Sequence, residues 1–259
     1  MSTTSKGMRS IWIVRHGERV DNVDPRWRLS APRGAWDDPI LTERGHQQAR
    51  EVGLQLAREN ERIDHVFVSP FTRTIQTATG ILDAIEQSNA PAYVRTGLPP
   101  IFVEPGFCES LHVCQPIPGY LAVEELSRQY KRIDPTYTHF HIKHYAETTS
   151  MCCQRRITDT LEHVLNKYSG NILIVSHGSP IAACHIALSG KSVYVGQCTI
   201  SKYHMHDGAK NKAENRENEQ EIRDAARDFM VLTDKFQFKP VLLGDSSHLS
   251  DRTNLRGNE

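Results

Sequence analysis

The feature that most restricts the fold of this chain is a short apolar run that ends abruptly in histidine and glycine and occurs twice. Residues 11–14 (Ile-Trp-Ile-Val) precede Arg-His-Gly, and residues 171–175 (Asn-Ile-Leu-Ile-Val) precede Ser-His-Gly. Short continuous runs rich in β-branched residues predict buried strands. Because strands buried on both faces are typical of parallel sheets in α/β proteins, the two runs predict a sheet of that class.

The first run brings three charged or polar side chains to one edge of the predicted sheet: Arg15, His16 and Arg19. The C-terminal edge of an open α/β sheet is where such folds bind their ligands. An arginine guanidinium is a planar fork that matches phosphate oxygens, and Gly17 permits a sharp turn behind the histidine. The motif therefore predicts phosphate handling. The alternative interpretation is a surface turn whose charges lie in water.

A third arginine is expected at the same edge. Residues 65–68 (His-Val-Phe-Val) predict a second buried strand, and a predicted helix follows Ser69-Pro70 and runs to about Ile85. Arg73 then lies in the first turn of that helix, and helix N-termini bind anions. In the alternative, an exposed first-turn arginine, the side chain would oppose the helix dipole unless an anion were bound nearby.

The rest of the chain alternates predicted strands with predicted helices. Thr42 is a typical N-cap for the first crossover helix. Strands or extended segments are predicted at 93–95 and 101–103, further strands at 198–205 and 229–233, and further helices at 123–130, 157–165 and 181–188. This alternation predicts an α/β fold with a mostly parallel, doubly wound sheet and helices on both faces, which is a three-layer sandwich.

We expect a single domain over residues 9–259, preceded by a flexible N-terminus at residues 1–8. Residues 110–150 are rich in Pro, His, Thr and Tyr and have too few apolar residues for a core of their own, which predicts an inserted cap over the C-terminal ends of the strands. Residues 207–222 are polar and mixed in charge, which predicts a mobile excursion between two strands. An irregular tail is predicted from Gly244 onward.

The charge balance excludes partners that are recognised mainly by bulk electrostatics. The chain has 31 basic and 31 acidic residues, so its net charge indicates neither nucleic acid nor an anionic membrane. The N-terminus is polar, and no stretch is long enough to span a bilayer, so we expect a cytoplasmic protein. The six cysteines are scattered without a CxxC pair, which favours reduced thiols that mostly pack in the interior.

Neither a metal nor an organic cofactor is expected. His139, His141 and His144 have HxHxxH spacing but no nearby carboxylate or cysteine, so we favour solvent-facing loop histidines over metal ligands. A long loop at residues 20–40 contains tryptophans at 27 and 36. These rings either pack the loop onto the body of the protein, which we favour, or line a pocket for a flat or apolar leaving group.

Together the motifs resemble the histidine phosphatase superfamily, whose fold is phosphoglycerate-mutase-like. The resemblance lies in Arg15-His16-Gly17, in Arg73 after Ser69-Pro70, and in Val175-Ser176-His177-Gly178. More narrowly, the chain is similar from about Arg9 onward to the phosphatase domain of the suppressor-of-T-cell-receptor-signalling (ubiquitin-associated and SH3-containing) proteins, a group that includes steroid-phosphate phosphatases. The motifs of this closer similarity are Arg15-His16-Gly17-Glu18-Arg19, Asp64-His65-Val66, Glu104-Pro105-Gly106, Thr136-Tyr137, residues 171–175 and Leu232-Thr233-Asp234. We expect a stand-alone catalytic domain.

The resemblance implies a metal-independent phosphomonoester hydrolase that acts on a phosphotyrosine protein or on a phosphorylated steroid or other small molecule. His16 would be the nucleophile and would form a phosphohistidine that water hydrolyses. The phosphate oxygens would be held by charge-assisted bonds from Arg15, Arg19, Arg73 and His177.

Glu109 matches the acid of the family, which protonates the leaving oxygen and then activates water. Two other carboxylates are candidates: Glu18, which could instead orient an arginine, and Glu104, which we expect to be structural. Ser110 stands where the relatives have an aromatic residue, and the loop at residues 20–40 is shorter than theirs. Both departures fall around the leaving-group pocket.

Two rival functions stay open. One is phosphoglycerate-type mutase activity, which is disfavoured because Arg19 replaces the small polar residue usual in that branch. The other is a weakly active phosphate-binding or scaffolding protein, which is disfavoured by the intact set of predicted catalytic residues. The expected partners are a phosphorylated substrate and, in a homodimer, a second copy of the chain.

Overall fold

The computed structural model describes residues 8–94, 96–140, 147–206 and 231–255. Its strands are β1 Met8–Arg15, β2 His65–Val68, β3 Ile101–Val103, β4 Ile172–Ser176, β5 Ile200–His206 and β6 Gln237–Asp245. Its helices are α1 Trp27–Ser30, α2 Glu43–Glu59, α3 Thr72–Gln87, α4 Pro91–Val94, α5 Val123–Gln129, α6 Ser150–Lys167 and α7 Gly178–Ser189. Short 3₁₀ turns occur at Val20–Asn22, Pro32–Gly34, Pro105–Phe107 and Leu111–Val113.

The strands form one mixed sheet in the order β3-β2-β4-β1-β5-β6. The pairs β1–β4, β2–β4 and β2–β3 are parallel, whereas β1–β5 and β5–β6 are antiparallel. The predicted α/β fold with a mostly parallel sheet is therefore confirmed, with an antiparallel edge added on the β5 side. All five residues of β4 are buried, as a central strand covered on both faces requires.

The core lies in two layers, one on each face of the sheet. Because successive side chains of a strand point to opposite faces, Trp12 and Val14 enter one apolar cluster and Ile11 and Ile13 enter the other. The first cluster contains apolar side chains of α2 and α3, and the second contains those of α6 and α7. The helices thus cover both faces, as predicted.

The predicted start of the first crossover helix is confirmed. The Thr42 hydroxyl accepts a hydrogen bond from the Gly45 amide at 3.0 Å, which satisfies one of the unpaired N–H groups of the first turn of α2. The helix ends at Asn60, whose φ of 52° closes it in the left-handed region.

Parallel pairing of β1 with β4 aligns the two His-Gly motifs. Arg15 lies opposite Ser176 in the register, so His16 and His177 follow one residue beyond the same edge of two adjacent strands. The His16 amide also donates to the Ser176 carbonyl at 3.0 Å. Two residues that are 161 positions apart in sequence are thereby placed side by side.

Two predicted strands are wrong. Residues 93–94 belong to the short helix α4, because Pro91 fixes φ at a first helical position, and residue 95 lies outside the described part. Residues 231–233 are not in a strand, and 229–230 are not described. The last strand is instead β6, a largely exposed edge strand containing Pro240, which lacks the buried apolar run by which strands are recognised.

The predicted irregular tail begins later than expected, since Gly244 still belongs to β6. Beyond it, Leu249 is buried and the Leu255 carbonyl accepts a hydrogen bond from the Gln197 amide, so this segment packs against the body. The predicted excursion at 207–222 and residues 1–7 lie outside the described residues, and so do 141–146 of the predicted cap. Among the helices described, none is both long and apolar enough to cross a membrane.

Candidate active site

His16 and His177 lie with their ring centroids 5.3 Å apart and their planes at 62°. Both rings are buried, at 1% and 0% exposure. Burial, reinforced by the charge of Arg73, holds the pKa of each imidazole well below its usual value of 6.5. Both rings are therefore neutral at physiological pH, and each carries a single N–H.

The hydrogen bond of His16 selects its tautomer. Nδ1 lies 2.8 Å from the carbonyl oxygen of Gly17, and a carbonyl only accepts, so the proton resides on Nδ1. Nε2 consequently carries the lone pair. This buried nitrogen has no hydrogen-bond partner among the residues that the structure describes. A neutral imidazole with an unpaired Nε2 is the form that a nucleophilic histidine needs.

His177 is held through its Nε2 atom, whereas His16 is held through Nδ1. Its Nε2 lies 2.7 Å from the Ser69 hydroxyl oxygen, and its Nδ1 lies 3.6 Å from Oε2 of Glu109. The Phe71 ring packs edge-on against the imidazole, with centroids 5.3 Å apart. When the Ser69 hydroxyl donates to Nε2, Nδ1 bears the proton and can donate to a phosphate oxygen.

The predicted arginines meet at this point from two segments, the end of β1 with the loop after it and the first turn of α3. Arg73 is 2% exposed, and its Nη1 donates to the Asp37 carbonyl at 2.9 Å. Burial and the charge of Arg19 lower the pKa of the Arg73 guanidinium, which still remains charged at neutral pH. Arg15 donates from Nη1 to the Val195 carbonyl at 3.1 Å. All three arginines line one cavity of about 320 Å³.

The same cavity includes the first residues of α7, Gly178 and Ser179. The first amides of a helix have no partner within it, and they carry the positive end of its dipole. Arginine side chains and a helix N-terminus thus surround a space suited to a phosphate group.

Glu109 is the predicted acid that reaches this cavity. Its Oε2 lies 3.7 Å from Nη2 of Arg73, and its Oε1 accepts a hydrogen bond from the Ser110 amide at 2.9 Å. Oε2 of this carboxylate is therefore close to both Arg73 and His177, whereas Oε1 is held by the backbone.

The two alternative carboxylates have structural partners instead. Glu18 accepts hydrogen bonds from Thr42 Oγ1 and Arg44 Nη1, each at 2.7 Å, so it orients an arginine, one of the two roles considered for it. Glu104 is fully buried and accepts bonds from the Gly106 amide and the Tyr137 hydroxyl, each at 2.8 Å. The expectation that Glu104 is structural is confirmed.

Gly17 is required for a reason other than the predicted sharp turn. Its φ is not in the left-handed region, whereas a Cβ on this residue would lie 2.6 Å from the carbonyl oxygen of Gly45. The loop after β1 therefore packs backbone to backbone against the start of α2. No other residue fits this contact without displacing α2.

Several residues of the site were not predicted: Ser69, Asp21, Asp37 and Cys114. Asp37 and Asp21 lie in the loop at 20–40, where no periodicity points to a role. Ser69 stood in the motif before Arg73, and its position directly after a strand was the available signal.

The long loop uses its tryptophans in both of the ways considered. Trp36 lines the cavity, together with Pro39 and Val113. Trp27 donates from its indole nitrogen to the Trp36 carbonyl at 2.9 Å, which ties the short helix α1 to the cavity wall. Part of the cavity wall is therefore apolar and aromatic.

His139, His141 and His144 were considered as metal ligands and judged to be loop histidines. Only His139 belongs to the described residues, since His141 and His144 lie outside them. Within the described ranges, no group of three or more His, Cys, Asp or Glu side chains is placed to hold a metal ion. Four of the six cysteines are buried, and the predicted packing role of most cysteines is confirmed.

Comparison with known proteins agrees with this geometry. The model of the histidine phosphatase superfamily (branch 1) matches residues 11–223. The ecdysteroid-phosphate phosphatase of Drosophila melanogaster is 29% identical over 212 residues, covering 70% of this chain and 27% of that protein. The ubiquitin-associated and SH3 domain-containing protein B of Mus musculus is 31% identical over 216 residues, covering 71% of this chain and 33% of that protein. The chain thus spans about a third or less of the length of these curated relatives.

One solved structure shares this fold over nearly the whole of its own chain. The crystal structure of the ecdysone phosphate phosphatase of Bombyx mori, in complex with tungstate, superposes with a TM-score of 0.60 and 21% identity, covering 81% of this chain and 98% of that one. The match of the family model extends over most of the chain and includes His16, Arg73, Glu109 and His177. This chain belongs to the histidine phosphatase superfamily, branch 1.

Proposed function

We propose that this protein is a phosphomonoester hydrolase that acts through a phosphohistidine intermediate on His16. The observation that carries the proposal is the hydrogen bond from His16 Nδ1 to the Gly17 carbonyl, which leaves a lone pair on a buried Nε2. The charges of Arg73, Arg15 and Arg19 act on this ring and lower its pKa. A neutral nucleophile is needed at phosphorus, and the low pKa of His16 keeps it neutral across the physiological range.

In the first step, the lone pair on His16 Nε2 forms a bond to phosphorus while the bond from phosphorus to the leaving oxygen breaks. Glu109 donates its proton to that oxygen, so the product leaves as an alcohol or phenol. Arg15, Arg19 and Arg73 stabilise the charge on the three remaining oxygens, and Nδ1–H of His177 adds a further donor.

In the second step, water attacks the phosphohistidine. The Glu109 carboxylate takes a proton from that water as the new P–O bond forms, and the P–N bond breaks to return the electron pair to Nε2 of His16. Inorganic phosphate leaves, and both His16 and Glu109 recover their starting protonation states. The arginines supply the positive field for both steps, so the proposed mechanism requires no metal ion.

The proposed substrate is a monoester with an aromatic or apolar leaving group, such as a phosphotyrosine protein or a phosphorylated steroid or other small molecule. Trp36, Pro39 and Val113 form the apolar part of the cavity wall, where such a group would rest. The Drosophila relative is by name an ecdysteroid-phosphate phosphatase, which supports this class of leaving group.

The test is a product assay on purified protein with phosphotyrosine, a steroid phosphate and 3-phosphoglycerate. We expect inorganic phosphate to be released from the first two. A mutase would instead transfer the phosphoryl group between positions of phosphoglycerate, and a scaffolding protein would bind phosphotyrosine without turnover. Either of those results would contradict the proposal.

A further inference from the structure

Basic and acidic side chains line the cavity at the active site in equal number. Among the described residues that line it, three arginines are matched by three carboxylates: Arg15, Arg19 and Arg73, and Asp21, Asp37 and Glu109. A phosphate group engages the arginines and brings negative charge with it. A second anionic group on the same substrate would therefore meet carboxylates with no lining cation left to neutralise it.

The three carboxylates differ in what they can do to a leaving group. Glu109 is the proposed acid and carries its proton when the substrate binds, so at that stage only the other two carboxylates are negative. The side chain of Asp37 accepts hydrogen bonds from the amides of Gln115 and Gly119, at 3.2 Å each, so it holds the predicted cap segment against the loop at 20–40. Asp21 is the remaining carboxylate of the lining.

Asp21 is held in place by one of the phosphate-facing arginines. Its Oδ1 accepts a hydrogen bond from Nε of Arg19 at 2.9 Å, and the two side chains are 27% and 19% exposed. The bond uses Nε of Arg19, so the terminal Nη atoms of the guanidinium are left for a phosphate. The carboxylate thus has a fixed position on the rim of the cavity.

The size of the cavity determines how strongly the Asp21 carboxylate repels a negative charge on the leaving group. A sphere of about 320 Å³ is roughly 8.5 Å across, which is close to the Debye length of about 8 Å at physiological ionic strength. A charge on a leaving group within the cavity is therefore repelled by Asp21 without complete screening. Before screening, a water-like dielectric gives an effect of about twofold at this separation, and the lower effective dielectric near a protein surface gives a larger one.

We propose that Asp21 is a specificity-determining residue that disfavours monoesters whose leaving group carries a second anion, such as a carboxylate or another phosphate. The inference rests on the proposed hydrolase function. It adds that the preferred substrates of this hydrolase have uncharged leaving groups. Arg28, which stacks on the Trp36 ring at 4.1 Å, does not line the cavity and so leaves the balance of lining charges unchanged.

The test compares two substrates of the same shape, 3-carboxyphenyl phosphate and its carboxamide, 3-carbamoylphenyl phosphate. The ratio of their kcat/KM values is measured for the wild type, for Asp21→Asn and for Asp24→Asn. Asp24 lies in the same loop and pairs with Arg26 at 3.5 Å, but it does not line the cavity, so it is a matched control. Comparing ratios cancels the intrinsic reactivity of the two esters.

We expect the wild type to favour the carboxamide and Asp21→Asn to reduce this preference about twofold or more, with Asp24→Asn unchanged. A gain of equal size for both esters in Asp21→Asn would reflect only the release of Arg19 and would overturn the inference. An unchanged ratio with both esters hydrolysed would also overturn it. Failure of the wild type to hydrolyse either ester would contradict the proposed function itself, and the inference with it.

Discussion

The hydroxyl oxygen of Ser69 lies 2.7 Å from Nε2 of His177, and both residues are completely buried. His177 is neutral, because burial and Arg73 keep its pKa low. A hydroxyl can donate or accept, so the direction of this bond and the position of the ring proton are coupled. With the serine donating to Nε2, the proton is on Nδ1, the atom nearest Glu109.

Replacing Ser69 with Ala should reduce kcat by about five- to tenfold, since one such hydrogen bond contributes about 1 kcal/mol. The loss should fall on kcat rather than KM if the bond strengthens phosphate contacts mainly in the transition state. Nitrogen NMR of the histidine ring would show a mixture of tautomers in the variant. An unchanged tautomer with a lowered melting temperature would assign Ser69 a merely structural role.

Replacing Glu109 with Gln should have an effect that depends on the leaving group. A weakly basic nitrophenolate departs unaided, whereas a steroid alkoxide needs a proton, so the loss in kcat/KM should be modest for the first and about a hundredfold or more for the second. The measurement is a series of phosphate esters of graded leaving-group basicity. An equal loss for every ester would remove Glu109 from the acid role.

Glu104→Gln is the control for that series. Glu104 is buried and holds Gly106 and Tyr137, so its substitution should lower stability without changing the dependence on the leaving group. Glu18 is bound to Thr42 and Arg44, and it is the next candidate for the acid if Glu109 fails the test.

Replacing Arg73 with Ala should reduce kcat/KM more than replacing Arg19 does. Arg73 is 2% exposed and is held by the Asp37 carbonyl, whereas the Arg19 side chain is 19% exposed and shares its charge with Asp21. Loss of a preorganised buried donor costs about 10²- to 10³-fold, and we expect about tenfold for Arg19. Thermal melts of both variants control for folding. Equal and small effects would indicate solvated charges that take no part in the reaction.

Stability should fall as the pH is lowered below about 6.5, partly because of His185. This buried histidine lies on the α7 side of the sheet, 2.6 Å from the Tyr203 hydroxyl and 3.1 Å from that of Ser201, and burial lowers its pKa to about 4. The unfolded chain, with an ordinary histidine pKa near 6.5, then binds more protons than the folded one, so stability is present above that pH and is lost toward pH 4.

The contribution of His185 to this loss is about 3 kcal/mol at most. Denaturant titrations of the wild type and of His185→Gln at pH 7.5 and pH 5 would measure it. The variant should be less stable at pH 7.5 but should lose less stability between the two values. An identical loss in both proteins would show that other groups cause the acid dependence.

The parts of the site that sequence could predict are those encoded locally. A strand, a histidine and a glycine in succession placed His16 and His177 at a sheet edge, and the turn after β2 placed Arg73 at a helix start. The bond between Ser69 and His177 joins residues 108 positions apart, and it depends on β2 being the neighbour of β4. Strand order of this kind is not encoded in any single segment.

The edge of the sheet could not be predicted for a different reason. Residues of β6 are largely exposed and include a proline, so neither an apolar run nor strict alternation marks them. The segment forms a strand because β5 offers unpaired backbone groups along its length. Likewise, the role of Asp21 follows from the bond that places it beside Arg19, and not from its own surroundings in the sequence.

The central claim, that His16 is the nucleophile, is tested most directly by trapping the intermediate. Wild-type protein and His16→Ala are incubated with a ³²P-labelled aryl phosphate and quenched, and the label on the protein is mapped after proteolysis. The account predicts an acid-labile, alkali-stable phosphoryl group on the peptide containing His16 in the wild type. It predicts no label on the variant, with an unchanged melting temperature. Label that persists on the alanine variant, or that maps to another residue, would contradict the account.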